Sequence, residues 1–313
     1  MKPRVRILEL PEIRRTLVYS SVVALMRDAL IAQSRGECET PMPMHLDIAS
    51  RHAEVHMKSS YRQGGRFFAL KVASTFPGNI ERGLPSGNGM VLLASAETGE
   101  PVAFLADAGH LTDVRTAAVA AMVARELGRQ DRVLGILGTG AQARLQAQVH
   151  GEILKLEQIW IWGRDPDRTL DCCREMQTQM PGAKVQIASS PAELARRTRL
   201  LVTATASRQP LLHVHDIEPG THISAVGSDA PGKQELDAEI LHRADLLLAD
   251  SRRQCQRFGE LQHAPAEWER VREIGAFCQS PDTSSPDAIT VCDFTGLGVE
   301  DLYIAEYCYQ RSL

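Results

Sequence analysis

Between Arg132 and Asp250, apolar segments of strand length alternate with segments of helical composition. The order is RVLGILG, AQARLQAQVHGEIL, QIWIWG, DPDRTLDCCREMQ, KVQIA, PAELARR and LLVTAT, and HISAVG and DLLLAD continue the strands. Strands separated by helices cannot pair as hairpins, so they lie parallel, with helices covering both faces of the sheet. The pattern therefore predicts a doubly wound α/β sheet of the Rossmann type.

The turn between the first strand and its helix is Gly138-Thr139-Gly140-Ala141-Gln142-Ala143. In a strand-turn-helix context, Gly138 permits the tight turn and Gly140 lets the backbone approach a pyrophosphate. A small residue at 143 allows close helix-to-strand packing, and the helix N-terminus offers its N–H groups to the phosphates. A dinucleotide cofactor is expected here. The second strand runs into Trp162-Gly163-Arg164-Asp165. Gly163 takes the position of the acidic residue that would bind the ribose hydroxyls of NAD, and Arg164 beside it suits a 2′-phosphate, which leans the expectation from NAD towards NADP. Asp165 could serve NAD instead, or act as a helix N-cap ahead of Pro166.

With 313 residues the chain exceeds the usual size of one domain. The expected division is a dinucleotide-binding domain over 114–301 and a smaller α+β substrate-binding and dimerisation domain over 1–113, joined by about 302–313. In the smaller part, Leu17, Val18, Val22, Leu25, Met26, Ala29 and Leu30 recur at helical spacing and predict one helix over 13–35, stopped by Gly36. From Pro41 to Leu105 short apolar runs between Gly, Pro and Asn clusters predict strands. A helix over LTDVRTAAVAAMVARELG, with Thr112 as N-cap and Gly128 as stop, is expected to bridge the two parts. The closing ITVCDFTGLGVEDLYIAEYCYQ reads as a Gly-rich turn leading into a helix that returns to the first part.

A net charge of −4 and a pI near 6.2 give no bulk attraction to nucleic acid or anionic lipid. No stretch reaches the roughly 18 unbroken apolar residues of a membrane span, and the N-terminus lacks a signal-peptide pattern. The seven cysteines show no CxxC spacing, which fits a reducing, cytoplasmic location. Neither His45, His52 and His56 nor His213 and His215 match a metal-binding spacing, and no metal is expected. Cys172 and Cys173 have no activating context and read as packing residues.

Four segments, ALKVASTFPGNIERGLPSGNGMVLL, LTDVRTAAVAAMVA, LGTGAQA and ISAVGSDAPGKQELD, together with TGLGVED, resemble the ornithine cyclodeaminase/mu-crystallin family over nearly the whole chain. The resemblance implies a two-domain homodimer whose active site lies in the cleft between its domains, and a small amino-acid or imino-acid substrate. It makes Lys71 the lysine that contacts the substrate carboxylate or imine, Arg115 the arginine near the cofactor and substrate head group, and Asp229 the catalytic acid/base. It further places Ser86, Arg115, Gly138, Thr139, Gly140, Ala141, Gln142, Thr205, Val226, Gly227, Ser228 and Lys233 against the dinucleotide. Simple chemistry is compatible: an arginine in the first turn of a helix favours a carboxylate, and a lysine in an apolar strand must be paired or face a cleft. The alternative for Arg115 is a salt bridge with Asp113 or a neighbouring loop, and without the resemblance Asp229 reads as a turn-former.

Two departures bear on substrate. The family arginine expected shortly after the first helix is absent from Thr40-Pro-Met-Pro-Met-His45, and the later family segment reads Met57-Lys-Ser-Ser-Tyr61. Lys58 or Arg62 could supply the missing charge. The leading expectation is a cyclodeaminase-like reaction on a small α-amino acid, with hydride transfer at Cα, deamination and cyclisation. A ketimine reductase of the pyrroline-2-carboxylate type or an amino-acid dehydrogenase is the first alternative. A mu-crystallin-like binder of dinucleotide or another ligand, without turnover, is the second.

Overall fold

The computed structural model describes residues 5–281 and 285–313. The chain divides into two compact units, Met1–Arg115 with Leu297–Leu313, and Thr116–Gly296.

The first unit opens with β1 (Arg6–Glu9), α1 (Leu10–Thr16) and α2 (Tyr19–Ser34). The single helix expected over 13–35 is therefore two: Leu17 and Val18 are extended, and Pro11 sits in the first turn of α1. Periodicity carries across the break because Ile13, Val22, Met26 and Leu30 are all buried. Gly36 ends α2 as foreseen, at φ +70°, with its N–H donating to Gln33 O and that of Glu37 to Ala32 O.

Then follow β2 (Cys38–Glu39), β3 (Met44–Ile48), β4 (Ala53–Arg62), β5 (Phe67–Thr75), β6 (Gly87–Ser95) and β7 (Pro101–Ala106). They form a sheet in the order β1-β7-β6-β5-β4-β2, with β3 also on β4; β1 is parallel to β7 and the other pairs are antiparallel. One face of this sheet carries Ala69, Lys71, Val91, Leu93 and Leu105, all buried. The C-terminal helix, Gly298–Arg311, packs on β4, β5, β6 and α2 through Val299, Leu302, Ile304, Ala305 and Cys308. A Cβ on Gly298 would lie 2.4 Å from Ser59 O, so only glycine lets the start of this helix come so close to β4.

The unit boundary falls within α3 (His110–Glu126). This helix starts two residues before Thr112, so Thr112 is not its N-cap; instead Asp107 Oδ2 accepts from the Leu111 N–H at 2.8 Å. Gly128, at φ +70°, closes the helix as foreseen, with its N–H donating to Arg125 O and that of Arg129 to Ala124 O.

The second unit contains β8 (Val133–Leu137), α4 (Ala141–Leu154), β9 (Gln158–Trp162), α5 (Pro166–Gln179), β10 (Lys184–Ile187), α6 (Pro191–Arg197), β11 (Leu200–Thr203), β12 (Arg208–Leu212), β13 (His222–Ala225), β14 (Gln234–Leu236), α7 (Ala238–Arg243), β15 (Leu246–Ala249), α8 (Arg252–Phe258), β16 (Arg272–Glu273), α9 (Ile274–Gln279) and β17 (Thr290–Asp293). Eight strands form one parallel sheet, ordered β10-β9-β8-β11-β13-β17-β15-β16, while β12 and β14 pair separately. The fold is thus the expected Rossmann-type doubly wound sheet with a second α+β unit. Side chains of Asp165, Ser190, Asp237 and Ser251 cap α5 to α8. Four strands, β12, β14, β16 and β17, were not foreseen. The segment TVCD is β17, inserted between β13 and β15, and its four residues are buried.

The strand order reverses between β8 and β11. In open α/β sheets, ligands bind beyond the carboxyl ends of the strands at such a switch point. No helix among the described residues is long and apolar enough to cross a membrane.

Candidate functional site

The turn after β8 has the geometry that its glycines suggest. Gly138 has φ +131°, and a Cβ there would lie 2.5 Å from Ala204 O at the end of β11, so two strand ends meet through a residue that must lack a side chain. Gly140 is the N-cap of α4, and an added Cβ would meet no atom within 4 Å. Open space therefore lies before a helix start that has no side-chain cap and no acid in its first turn. Ala143 is fully buried, as close helix-to-strand packing requires. The Arg144 guanidinium donates to Thr139 O at 2.6 Å and Gly140 O at 3.2 Å, bracing the turn from behind. Ala141 is exposed and Gln142 half-buried, its Oε1 accepting from Gln146 Nε2 at 3.2 Å.

Beside this turn, a Cβ at Gly163 would fall 2.5 Å from Thr139 Cγ2 and 2.6 Å from Thr169 Oγ1. Position 163 has no room for an acidic side chain unless the turn shifts. Arg164 is exposed. Asp165 takes up the capping alternative: its Oδ1 accepts from the N–H groups of Asp167 and Arg168 at 3.0 and 3.2 Å.

Thr205 and the stretch Val226-Gly227-Ser228 follow β11 and β13 in the same unit. A residue that sequence reasoning passed over joins them. The Glu235 carboxylate accepts from Thr203 Oγ1 (2.7 Å), Thr205 N (2.6 Å), Thr205 Oγ1 (2.7 Å) and Gly227 N (3.0 Å). Burial raises its pKa against these hydrogen bonds. Behind it the buried Glu260 accepts from the N–H groups of Glu235 and Leu236, and burial, then Glu235 and Asp293, push its pKa well up. Ser228 Oγ donates to Lys233 O at 2.9 Å. Asp229 occupies the turn that follows, its side chain 46% exposed and 2.6 Å from Lys233 Nζ.

In the first unit, Lys71 is 2% exposed, with Nζ 2.9 Å from Asp301 Oδ2 and 3.0 Å from Oδ1. Arg115, 5% exposed, donates from Nη1 to Glu300 Oε2 at 2.9 Å, and its Nε lies 3.4 Å from Asp301 Oδ1. Two cations and two carboxylates are thus interleaved under cover, a cluster the sequence expectations did not contain. Both of these carboxylates come from the C-terminal helix. Loss of water around Lys71 lowers its pKa from 10.5 to about 7, against the pull of Asp301 and with the help of Arg115 and Lys58. Lys58 stands directly opposite Lys71 in the β4–β5 register and points to the same face. Arg62, the other candidate for the missing charge, instead meets Glu37 at 3.2 Å and lies over the Tyr303 ring. Ser86 is half-buried at the entrance to β6, in the first unit, while the glycine turn, Arg164, Thr205, Val226 to Ser228, Asp229 and Lys233 are in the second.

This arrangement accompanies a match over residues 5–313 to the model of the ornithine cyclodeaminase/mu-crystallin family. The chain belongs to this family. An uncharacterized cyclodeaminase of Sinorhizobium fredii is 37% identical over 87% of this chain and 84% of the relative. Iminosuccinate reductase of Paracoccus denitrificans is 30% identical over 83% of this chain and 81% of its own length. Among solved structures, an archaeal alanine dehydrogenase dimer with bound NAD superimposes with a TM-score of 0.88 at 26% identity, covering 98% of this chain and 95% of the other. The fold and the family expected from the motifs are therefore those found.

Proposed function

We propose that this chain is an NAD(P)-dependent enzyme that exchanges hydride at Cα of a small α-amino or α-imino acid. The carrying observation is the buried Lys71–Arg115 cation pair, present in a chain that also bears a glycine turn at the switch point of a parallel sheet. The open, uncapped start of α4 fits a pyrophosphate, and Thr205 and Val226 to Ser228, which follow neighbouring strands of the same sheet, suit the rest of a dinucleotide. When bound, the nicotinamide supplies or accepts the hydride. Arg115 holds the substrate carboxylate, and Lys71 contacts that carboxylate or the imine. Asp229 exchanges a proton with the substrate nitrogen, and Lys233 steadies its carboxylate. Arg164, beside a glycine rather than an acid at 163, leans the cofactor towards NADP.

In the cyclodeaminase-like version the oxidised Cα–N centre is attacked by a side-chain amine, ammonia leaves, and hydride returns. A second version, reduction of an imine or oxidative deamination, is favoured by Lys71: a buried amine titrating at about 7 can protonate an imine nitrogen or take its proton back at neutral pH. The relatives named as iminosuccinate reductase and alanine dehydrogenase lend support to it. The first unit then serves substrate binding and dimerisation, the second the dinucleotide, and the enzyme works as a cytoplasmic homodimer. The seven cysteines, none in a disulfide, suit a reducing compartment.

The deciding experiment supplies ornithine with catalytic NAD or NADP and follows ammonia, proline and reduced nicotinamide. Proline and ammonia without net reduction establish the cyclodeaminase cycle. Inertness towards ornithine together with oxidation of NADPH by cyclic or acyclic imino acids assigns the reductase. Inertness in both assays, with cofactor bound, would overturn the enzymatic reading.

A further inference from the structure

We infer that His45, His56 and Glu54 form a binding site for a divalent transition-metal ion, with Asp47 supporting it. The three residues each present a ligand atom, and these atoms lie within 4.8 Å of one another. Their spacing along the chain resembles no metal motif, because the site is made by pairing. In the antiparallel β3–β4 register His45 is directly opposite His56, and Asp47 is directly opposite Glu54. Directly opposed side chains point to the same face, so two imidazoles and two carboxylates share one small patch. The rings of His45 and His56 meet edge to face at 4.6 Å, and Glu54 Oε2 is 3.7 Å from His56 Nε2.

The two imidazoles and the Glu54 carboxylate are held rather than loose, with side chains of His45, His56 and Glu54 only 28%, 18% and 21% exposed. One ring nitrogen of His45, Nε2, lies 2.9 Å from Asp47 Oδ1, a carboxylate 75% exposed on the same face that can orient the ring. Imidazole and carboxylate donors suit Zn²⁺ and its neighbours, not Mg²⁺ or Ca²⁺, whose sites are built of oxygen. Ligands of a tetrahedral zinc ion at about 2.0–2.2 Å sit roughly 3.3–3.6 Å apart, so small side-chain rotations close the cluster. Among the described residues β3 pairs only with β4, and a bound ion would pin it there. The patch faces the same way as Lys58 and Lys71, which follow along β4 and β5.

The test uses untagged full-length protein, stripped with chelator and titrated with ZnCl₂ at neutral pH, with bound zinc counted after gel filtration. One zinc per chain is expected, with a dissociation constant in the micromolar range or tighter. His56→Ala should abolish the stoichiometric site, and Asp47→Ala should weaken it roughly 10- to 100-fold, as loss of an orienting carboxylate does. Co²⁺ should give the intense visible bands of a tetrahedral centre, absent in the variant. Should His56→Ala unfold, His56→Gln with a native circular dichroism spectrum replaces it. Markedly substoichiometric zinc, or equal affinity in a folded His45/His56 double variant, would overturn the site.

Discussion

Lys71 Nζ lies 2.9 and 3.0 Å from the two carboxylate oxygens of Asp301, a residue 230 positions further along the chain. A strand lysine and a helix aspartate are thus paired out of water, and Arg115 shares the same carboxylate. Asp301→Asn leaves Lys71 short of its counter-charge, while Arg115 keeps Glu300. Unpairing a buried ion typically costs about 3–5 kcal/mol, so the urea midpoint at neutral pH should fall by that equivalent. A variant as stable as the parent would show that the pair carries little.

The proton on Lys71 couples to folding. Its folded pKa, about 7, lies below the 10.5 of an unburied lysine, so between these values the unfolded chain binds more protons. The contribution of this residue to stability is full above the unfolded value and is lost as pH falls through about 7. Lys71→Met should therefore flatten the rise in stability between neutral and alkaline pH, read from urea midpoints across that range. An unchanged slope would refute the shifted amine.

Asp229→Asn tests the proposed proton exchange. The amide cannot take the proton, and general-base help is typically worth roughly 10² to 10⁴ in rate. The turnover number should fall by that order while NADH affinity, measured by fluorescence titration, stays as in the parent. Retained turnover would remove Asp229 from the mechanism.

Glu235→Gln keeps shape and burial but turns one acceptor into a donor, which then faces the N–H of either Thr205 or Gly227. An unmet buried hydrogen bond costs about 1–3 kcal/mol, and to the extent that cofactor binding needs both loops ordered, the NADH dissociation constant should rise roughly 5- to 150-fold. Unchanged affinity in a natively melting variant would show that the carboxylate does not set the two loops.

Arg164→Leu addresses cofactor choice. Loss of a guanidinium that meets a 2′-phosphate should weaken NADP far more than NAD, by about tenfold or more for a charge-assisted contact. An equal loss for both cofactors, or none, would remove Arg164 from the selection.

The sequence by itself determined the parallel sheet, the place and chemistry of the glycine turn, the helix stops at Gly36 and Gly128, and the family. These are set by residues close in sequence, where periodicity, glycine stereochemistry and strand-helix alternation act locally. It could not show β17, because a short buried strand has no periodicity of its own, nor the break at Leu17–Val18, which leaves the apolar stripe intact. Tertiary structure alone decided which acids neutralise Lys71 and Arg115, which carboxylate joins Thr205 to Gly227, and which histidines meet across β3 and β4. Each of these depends on where distant backbone segments come to lie, and burial then makes the pairing obligatory, since a charge removed from water must find its partner in space.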